Sequence, residues 1–162
     1  MSSSELHAAG RRILAAGPWG FLTTEDPHVR TRVVQHLEVT DDLTITFSTG
    51  PDTRKAASIR RTPAVIYAAL DPASGGAVSF HGIATLNDDL AERQRLWIDD
   101  LAPFFPAGPT GDGFVLVRIV PLRIEVWSVV DGMSPPPFGL SSLATERSDP
   151  DDAWSGPTGT HP

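Results

Sequence analysis

The sequence predicts a mainly β protein: an antiparallel barrel of six or seven strands carrying two or three short helices. Three observations lead there. Stretches rich in Val, Ile, Thr and aromatic residues recur from residue 19 to residue 130. Short turn signals such as EDP, TDD and DPASGG separate neighbours, which is the spacing of hairpins rather than of helical crossovers. Helical periodicity is confined to brief segments.

The elements follow in order. Residues 4–16, SELHAAGRRILAA, start with a serine cap and set Leu6, Ala9, Ile13 and Ala16 at helical spacing before Gly17-Pro18 stops the helix. WGFLTT (19–24), VRTRVVQHLEV (29–39) and LTITFS (43–48) read as a three-stranded meander. Residues 52–61 form a short helix with Asp52 or Thr53 at its cap, Ala56 and Ile59 facing inward and Pro63 just beyond. AVIYAAL (64–70) and AVSFHGIATL (77–86) pair about the DPASGG turn. A further helix runs from Asn87 or Asp88 to Leu101, with Leu90, Trp97 and Leu101 on one stripe. After the Pro- and Gly-rich loop APFFPAGPTGDG, GFVLVRIVPLRIEVWSVV (113–130) supplies two strand runs broken at Pro121, a residue that suits an edge or a bulge. From Asp131 the composition turns proline-rich and polar. The expected organisation is one barrel domain over 1–140 and a flexible tail over 141–162, with Trp154 as its one anchor.

Composition removes several classes of function. The absence of cysteine excludes disulfides, thiolate catalysis and Cys-ligated metals. There is no H-E-x-x-H, G-x-S-x-G or phosphate-loop signature. His28, His36 and His81 lack a partner at helical spacing and read as strand or loop residues, an axial haem ligand being the lesser alternative. No apolar run reaches the ~18 residues of a spanning helix, and MSSSELHAAGRR lacks the apolar core of a secretion signal. A formal charge of −7 disfavours nucleic acid. The expectation is a cytoplasmic protein that binds neither nucleic acid nor membrane.

Charge is nonetheless unevenly placed. Between Arg30 and Arg61 six basic residues face four acidic ones, a local +2 that leaves −9 elsewhere. STGPDTRKAASIRR (48–61) holds the chain's only lysine, Lys55. Ser48, Thr49, Arg54 and Lys55 combine hydroxyls, a guanidinium and an ammonium at a helix start, and Arg32 lies on the strand that would pair alongside. That is the donor set for a phosphate ester; the plainer reading is a solvated helix face balanced by Asp52.

The stretch from Trp19 to Trp127 resembles the FMN-binding split barrel of the pyridoxamine 5′-phosphate oxidase-like family, in particular its general stress protein branch. GFLTTEDPHVRTRVV resembles the opening hairpin with its Arg-x-Val core. ITFSTGPDTRKAASIRRTPAV resembles the aromatic-x-Thr segment followed by Arg-Lys and a short helix. VSFHGIATL resembles the strand with the G-x-A signature, VPLRIEVW the closing Glu-x-Trp strand, and SPPPFGL the tail of that branch. The resemblance implies a flavin phosphate and ribityl chain held at Arg32, Val33, Val34, Gln35, Ser48, Thr49, Arg54 and Lys55, with Trp127 close to the ring. Val33 and Val34 suit a core equally well, and Trp127 a packing anchor. It also implies a homodimer with FMN at the interface and a flavin-dependent oxidoreductase acting on a small molecule. The alternatives are a deazaflavin coenzyme, whose longer tail would also need Arg30, Arg60 and Arg61, and a flavin-binding stress protein without turnover. The chain departs from the biosynthetic oxidase at His36, Leu37 and Glu38 and lacks an Arg-x-His clamp in VWSVVDGMSPPP, which argues against pyridoxamine phosphate as substrate. The FFPAGPTGDG loop and the PPPFGL segment are expected to border the pocket.

Overall fold

The computed structural model describes residues 1–134 and 141–160. Helix α1, Ser3–Ala15, is closed at its start by a capping box: the Glu5 amide donates to the Ser2 hydroxyl, and the Ser2 amide donates to the Glu5 carboxylate at 2.6 Å. Leu6, Ala9, Ile13 and Leu14 are buried against the barrel, whereas Ala16 falls at the C-cap and is exposed.

The strands are β1 (Trp19–Thr24), β2 (Arg30–Val39), β3 (Ile45–Thr49), β4 (Ala64–Leu70), β5 (Ala77–Asn87) and β6 (Val115–Trp127). They pair antiparallel in the order β3-β2-β1-β4-β5-β6, and β3 then pairs with β6 to close a six-stranded barrel. Inward residues such as Leu22, Ile45, Phe47, Tyr67, Phe80, Ile119 and Ile124 fill it. Helix α2, Arg54–Arg61, links β3 to β4; Thr53 caps it and Ala56 and Ile59 are buried, in keeping with the sequence.

Three expectations change. β6 is one continuous strand through Pro121. On one side it pairs with β5 throughout; on the other, β3 takes residues 115–119 and a later strand takes 123–126. Pro121 falls at the changeover, where neither neighbour asks for its missing N–H, and a bulge between His81 and Gly82 absorbs the shift in register. The helix expected to reach Leu101 ends early. Helix α3 spans Leu90–Arg95 under an Asp89 cap, Ile98 is extended, and a 3-10 turn covers Asp99–Leu101. Leu96, Leu101, Trp97 and Phe105 gather round Phe114 and Leu116 as a second small core, leaving Leu90 exposed; that packing outweighs the helical stripe. Lastly, the stretch read as a tail carries β7 (Leu143–Glu146) and β8 (Thr158–Gly159). The half of β6 beyond β3 is a free edge, and β7 takes it, burying Ala144 and Thr145. Trp154 lies under the Arg147 guanidinium at 4.5 Å and meets the His7 ring edge-on at 4.9 Å.

Tyr67 is wholly buried, and its hydroxyl lies 2.7 Å from His36 Nδ1. Gly20 makes the room: a Cβ there would come within 2.2 Å of the Tyr67 ring. Burial pushes the His36 imidazole below its ordinary pKa, although a hydrogen bond to the Leu14 backbone partly opposes this. The native state therefore prefers neutral His36, and the unfolded state binds the extra proton below about pH 6.5. His7, lowered mainly by burial and further by Arg11 and Arg147, acts in the same sense. Stability is expected to be full above about pH 6.5 and to fall as the pH drops through that value toward the depressed native pKa. Urea midpoints from pH 8 to pH 5 check this; His36→Asn should flatten the profile.

Candidate functional site

β2 runs out of the barrel with Arg32, Val33, Val34 and Gln35 in sequence, and the end of β3 brings Ser48 and Thr49 up to the start of α2. Around them lies a cleft of about 380 Å³, lined by Val33, Val34, Gln35, Ser48, Thr49 and Lys55. An adjoining hollow of about 390 Å³ shares Thr53 and Lys55 with the cleft and adds Arg32 and Arg54. Eight of the nine residues singled out from the sequence thus converge. Trp127 does not: it ends β6 opposite Ala77, while the other end of that strand, at Val115, is the end that meets Thr49.

The local geometry follows from hydroxyl chemistry. Thr53 accepts from the Ala56 amide as N-cap, donates to the Gly50 carbonyl at 2.9 Å and lies 3.0 Å from the Thr49 hydroxyl. This arrangement fixes the β3–α2 turn. Lys55 reaches back along it, its ammonium donating to Thr49 Oγ1 at 3.1 Å. Arg32 donates to Thr24 Oγ1 at 2.8 Å, which turns its side chain toward α2.

Electrostatically the three cations share one feature, the want of an acidic partner. Arg12, Arg61, Arg95 and Arg123 all pair with carboxylates, but among the described residues Arg32, Arg54 and Lys55 form no ion pair. Burial, and then Arg32, push the Lys55 ammonium below its ordinary pKa. Burial, and then the charges of Arg30 and Arg54, do the same to Arg32. Half-buried like charges held together without a counter-charge destabilise each other, and an anion between them relieves that cost.

Sequence reasoning anticipated the 104–113 loop, and Phe104, Phe105 and Gly113 do line the cleft. Residues 135–140, expected to border it as well, lie outside the described residues. Trp19 and Leu101 were not foreseen. The signal for Trp19 was available: Gly20, Leu22 and Thr24 are the buried half of β1, so Trp19 belongs to its outward half. His36 Nδ1 is engaged by the Tyr67 hydroxyl. Among the described residues no cluster of His, Asp and Glu could hold a metal ion. No helix among them is long and apolar enough to cross a membrane.

No curated protein matches the chain at a significant level. Solved structures do. An FMN-binding protein related to pyridoxamine 5′-phosphate oxidase from Nostoc punctiforme superposes with a TM-score of 0.71 at 18% identity, covering 99% of this chain and 94% of that one. General stress protein 26 from Bacillus anthracis gives 0.67 at 18% identity over 75% and 92%. A heme binding protein from Mycobacterium smegmatis gives 0.59 at 16% identity over 75% and 53%. At such identities the likeness establishes the fold. The sequence profile described as "Pyridoxamine 5'-phosphate oxidase like" matches residues 11–144, most of the chain and all six barrel strands. With that match over most of its length, the chain belongs to the pyridoxamine 5′-phosphate oxidase-like family.

Proposed function

We propose that the chain binds FMN in this cleft and serves as a flavin-dependent oxidoreductase for a small molecule. One observation carries the reading: Arg32, Arg54 and Lys55 converge, unpaired with any acid, at one end of a cleft whose remainder is largely apolar. A phosphate monoester carries roughly −1.5 to −2 charges near neutral pH, which matches three cations at a helix start. The residues therefore fit the group. Arg54 and Lys55 hold the phosphate, Arg32 closes on it from β2, and Ser48 and Thr49 offer hydroxyls to the polyol chain. Val33, Val34 and Gln35 form the wall along the ring. When bound, FMN supplies hydride-transfer chemistry, which needs no protein nucleophile. The protein's part is anchorage, orientation and exclusion of water.

The cations beyond the hollow bear on a coenzyme with a longer anionic tail. Arg60 donates to the Pro51 carbonyl at 2.7 Å, and Arg61 is paired with Asp26. Of the three cations a longer tail would call on, Arg61 is committed to a carboxylate, while Arg30 and Arg60 form no ion pair among the described residues. Native purification tests the reading: a yellow protein with flavin absorption, or stoichiometric FMN uptake by colourless protein, is expected, and failure to take up FMN overturns it. Anaerobic titration with NADH and NADPH separates an enzyme from a carrier without turnover.

The same reading includes a homodimer. Phe21, Val33 and Ile66 all lie at least one-third exposed on the outer face of β2-β1-β4, with Phe21 beside both Val33 and Ala68. A contiguous apolar sheet face of this kind fits a second copy of itself. A second copy would also be the means of bringing Trp127 toward a cleft that its own chain holds it away from. Phe21→Asp is expected to give monomers by light scattering; an unchanged dimer would place the interface elsewhere.

A further inference from the structure

The cleft has two chemically different ends, and FMN anchorage explains only one. Every cation lining the cleft or the adjoining hollow sits at the α2 end, and no carboxylate lines either. The other end is walled by Trp19, Leu101, Phe104 and Phe105. Phe105 has a structural explanation, since its ring meets Phe114 edge-on at 4.9 Å within the second small core. Phe104, the residue before it, is 74% exposed, and Trp19 is 59% exposed.

The loop that holds Phe104 outward is pre-formed. The amides of Phe104 and Phe105 both donate to the Leu101 carbonyl at 3.0 Å, and that of Gly108 donates to the Phe105 carbonyl at 2.9 Å. The Arg93 guanidinium donates to the Phe114 carbonyl at 2.9 Å, tying down the loop's far end. An aromatic ring kept in water by a built loop, lining one cleft with a second exposed aromatic, marks a surface meant to be covered by a ligand.

Resting on the flavin reading, we propose that this end takes a neutral, planar aromatic molecule, held by Trp19 and Phe104 beside the cofactor, and discriminates against anionic substrates. Once the cofactor's phosphate occupies the three cations, a second anion would enter apolar surroundings with no counter-charge. A cationic substrate would find no carboxylate. Both would lose hydration without replacement, whereas an uncharged ring loses little and gains stacking area.

The test uses FMN-loaded protein with 2-naphthol and 6-hydroxynaphthalene-2-sulfonate, two probes with the same ring and different charge. An electron-rich naphthol stacked on oxidised flavin produces a long-wavelength charge-transfer absorption. The expected result is that band with 2-naphthol, binding at least about tenfold tighter than the sulfonate. Phe104→Ala should lose about tenfold in naphthol affinity together with the band, and Phe104→Leu should fall between, each measured on protein saturated with FMN. Equal or reversed preference, an unaffected Phe104→Ala protein, or a change of oligomeric state in place of naphthol binding would each overturn the proposal while leaving FMN uptake intact. Failure to take up FMN would overturn the flavin reading and this one with it.

Discussion

Replacing Arg54 and Lys55 together by alanine is expected to weaken FMN binding by at least about a hundredfold without unfolding the protein. Hydrogen bonds to charged groups contribute about 1.5–3 kcal/mol each, so losing two donors gives a factor of roughly 10² to 10⁴. Stability should survive because Arg54 is exposed and Lys55 gives up only its bond to Thr49. The sign of the small residual effect is informative. Lys55 is half-buried, its pKa is lowered first by burial and then by Arg32, and it has no acid partner, so the cofactor-free variant should melt at the same temperature or slightly higher. Flavin fluorescence titration and thermal melts of both proteins measure the two quantities. Arg61→Ala is the control. Its guanidinium pairs with Asp26 outside the cleft, so affinity should hold. Equal FMN affinity in the double variant and the parent would remove the proposed anchor.

Gly82→Ala should produce a large loss of stability for a single added methyl group. A Cβ at Gly82 would lie 2.4 Å from the Val120 carbonyl oxygen and 3.0 Å from its carbon. Those are backbone atoms of β6, held by pairing with β5 and next to Ile119, the last residue that β3 takes. Relief therefore requires the bulge opposite Pro121 to open, disturbing the pairing on which barrel closure depends. A cost of about 3 kcal/mol or more is expected, or about 6–12 °C in melting temperature for a domain of this size. Gly113→Ala, where an added Cβ meets nothing within 4 Å, should be close to neutral. A similar, small effect at both positions would show that the bulge is pliant.

The local elements were readable because each is set by short-range chemistry. β4 carries the alternation of a half-buried strand and is bounded by Pro63 and the Asp71 turn, and α1 advertises its start through a serine cap, which the structure puts at Ser2 rather than at the Ser4 that opens the 4–16 reading. The cation cluster was readable for a related reason: Ser48, Thr49, Arg54 and Lys55 lie within eight residues, so a single turn brings them together. What escaped the sequence depended on partners far along the chain. Whether Pro121 breaks a strand depends on which neighbours flank it, and here the flanks change from β3 to β7 at that point. The end of α3 was decided by Phe114 and Leu116, which draw Leu96 and Leu101 out of helical register.

The amino-acid sequence alone determined the places of β1 to β5, of α1 and of α2, the family and the residues that gather positive charge, since these depend on periodicity, capping and motif order. Tertiary structure alone decided that β3 closes on β6, that β7 occupies the spare edge, that Arg32 joins Arg54 and Lys55 without a carboxylate partner, and that Trp127 stands apart from them. The reason is one of range. Turns and caps are settled between residues a few positions apart, whereas closure of a barrel and the meeting of like charges are settled only when distant segments compete for the same edge and the same interior.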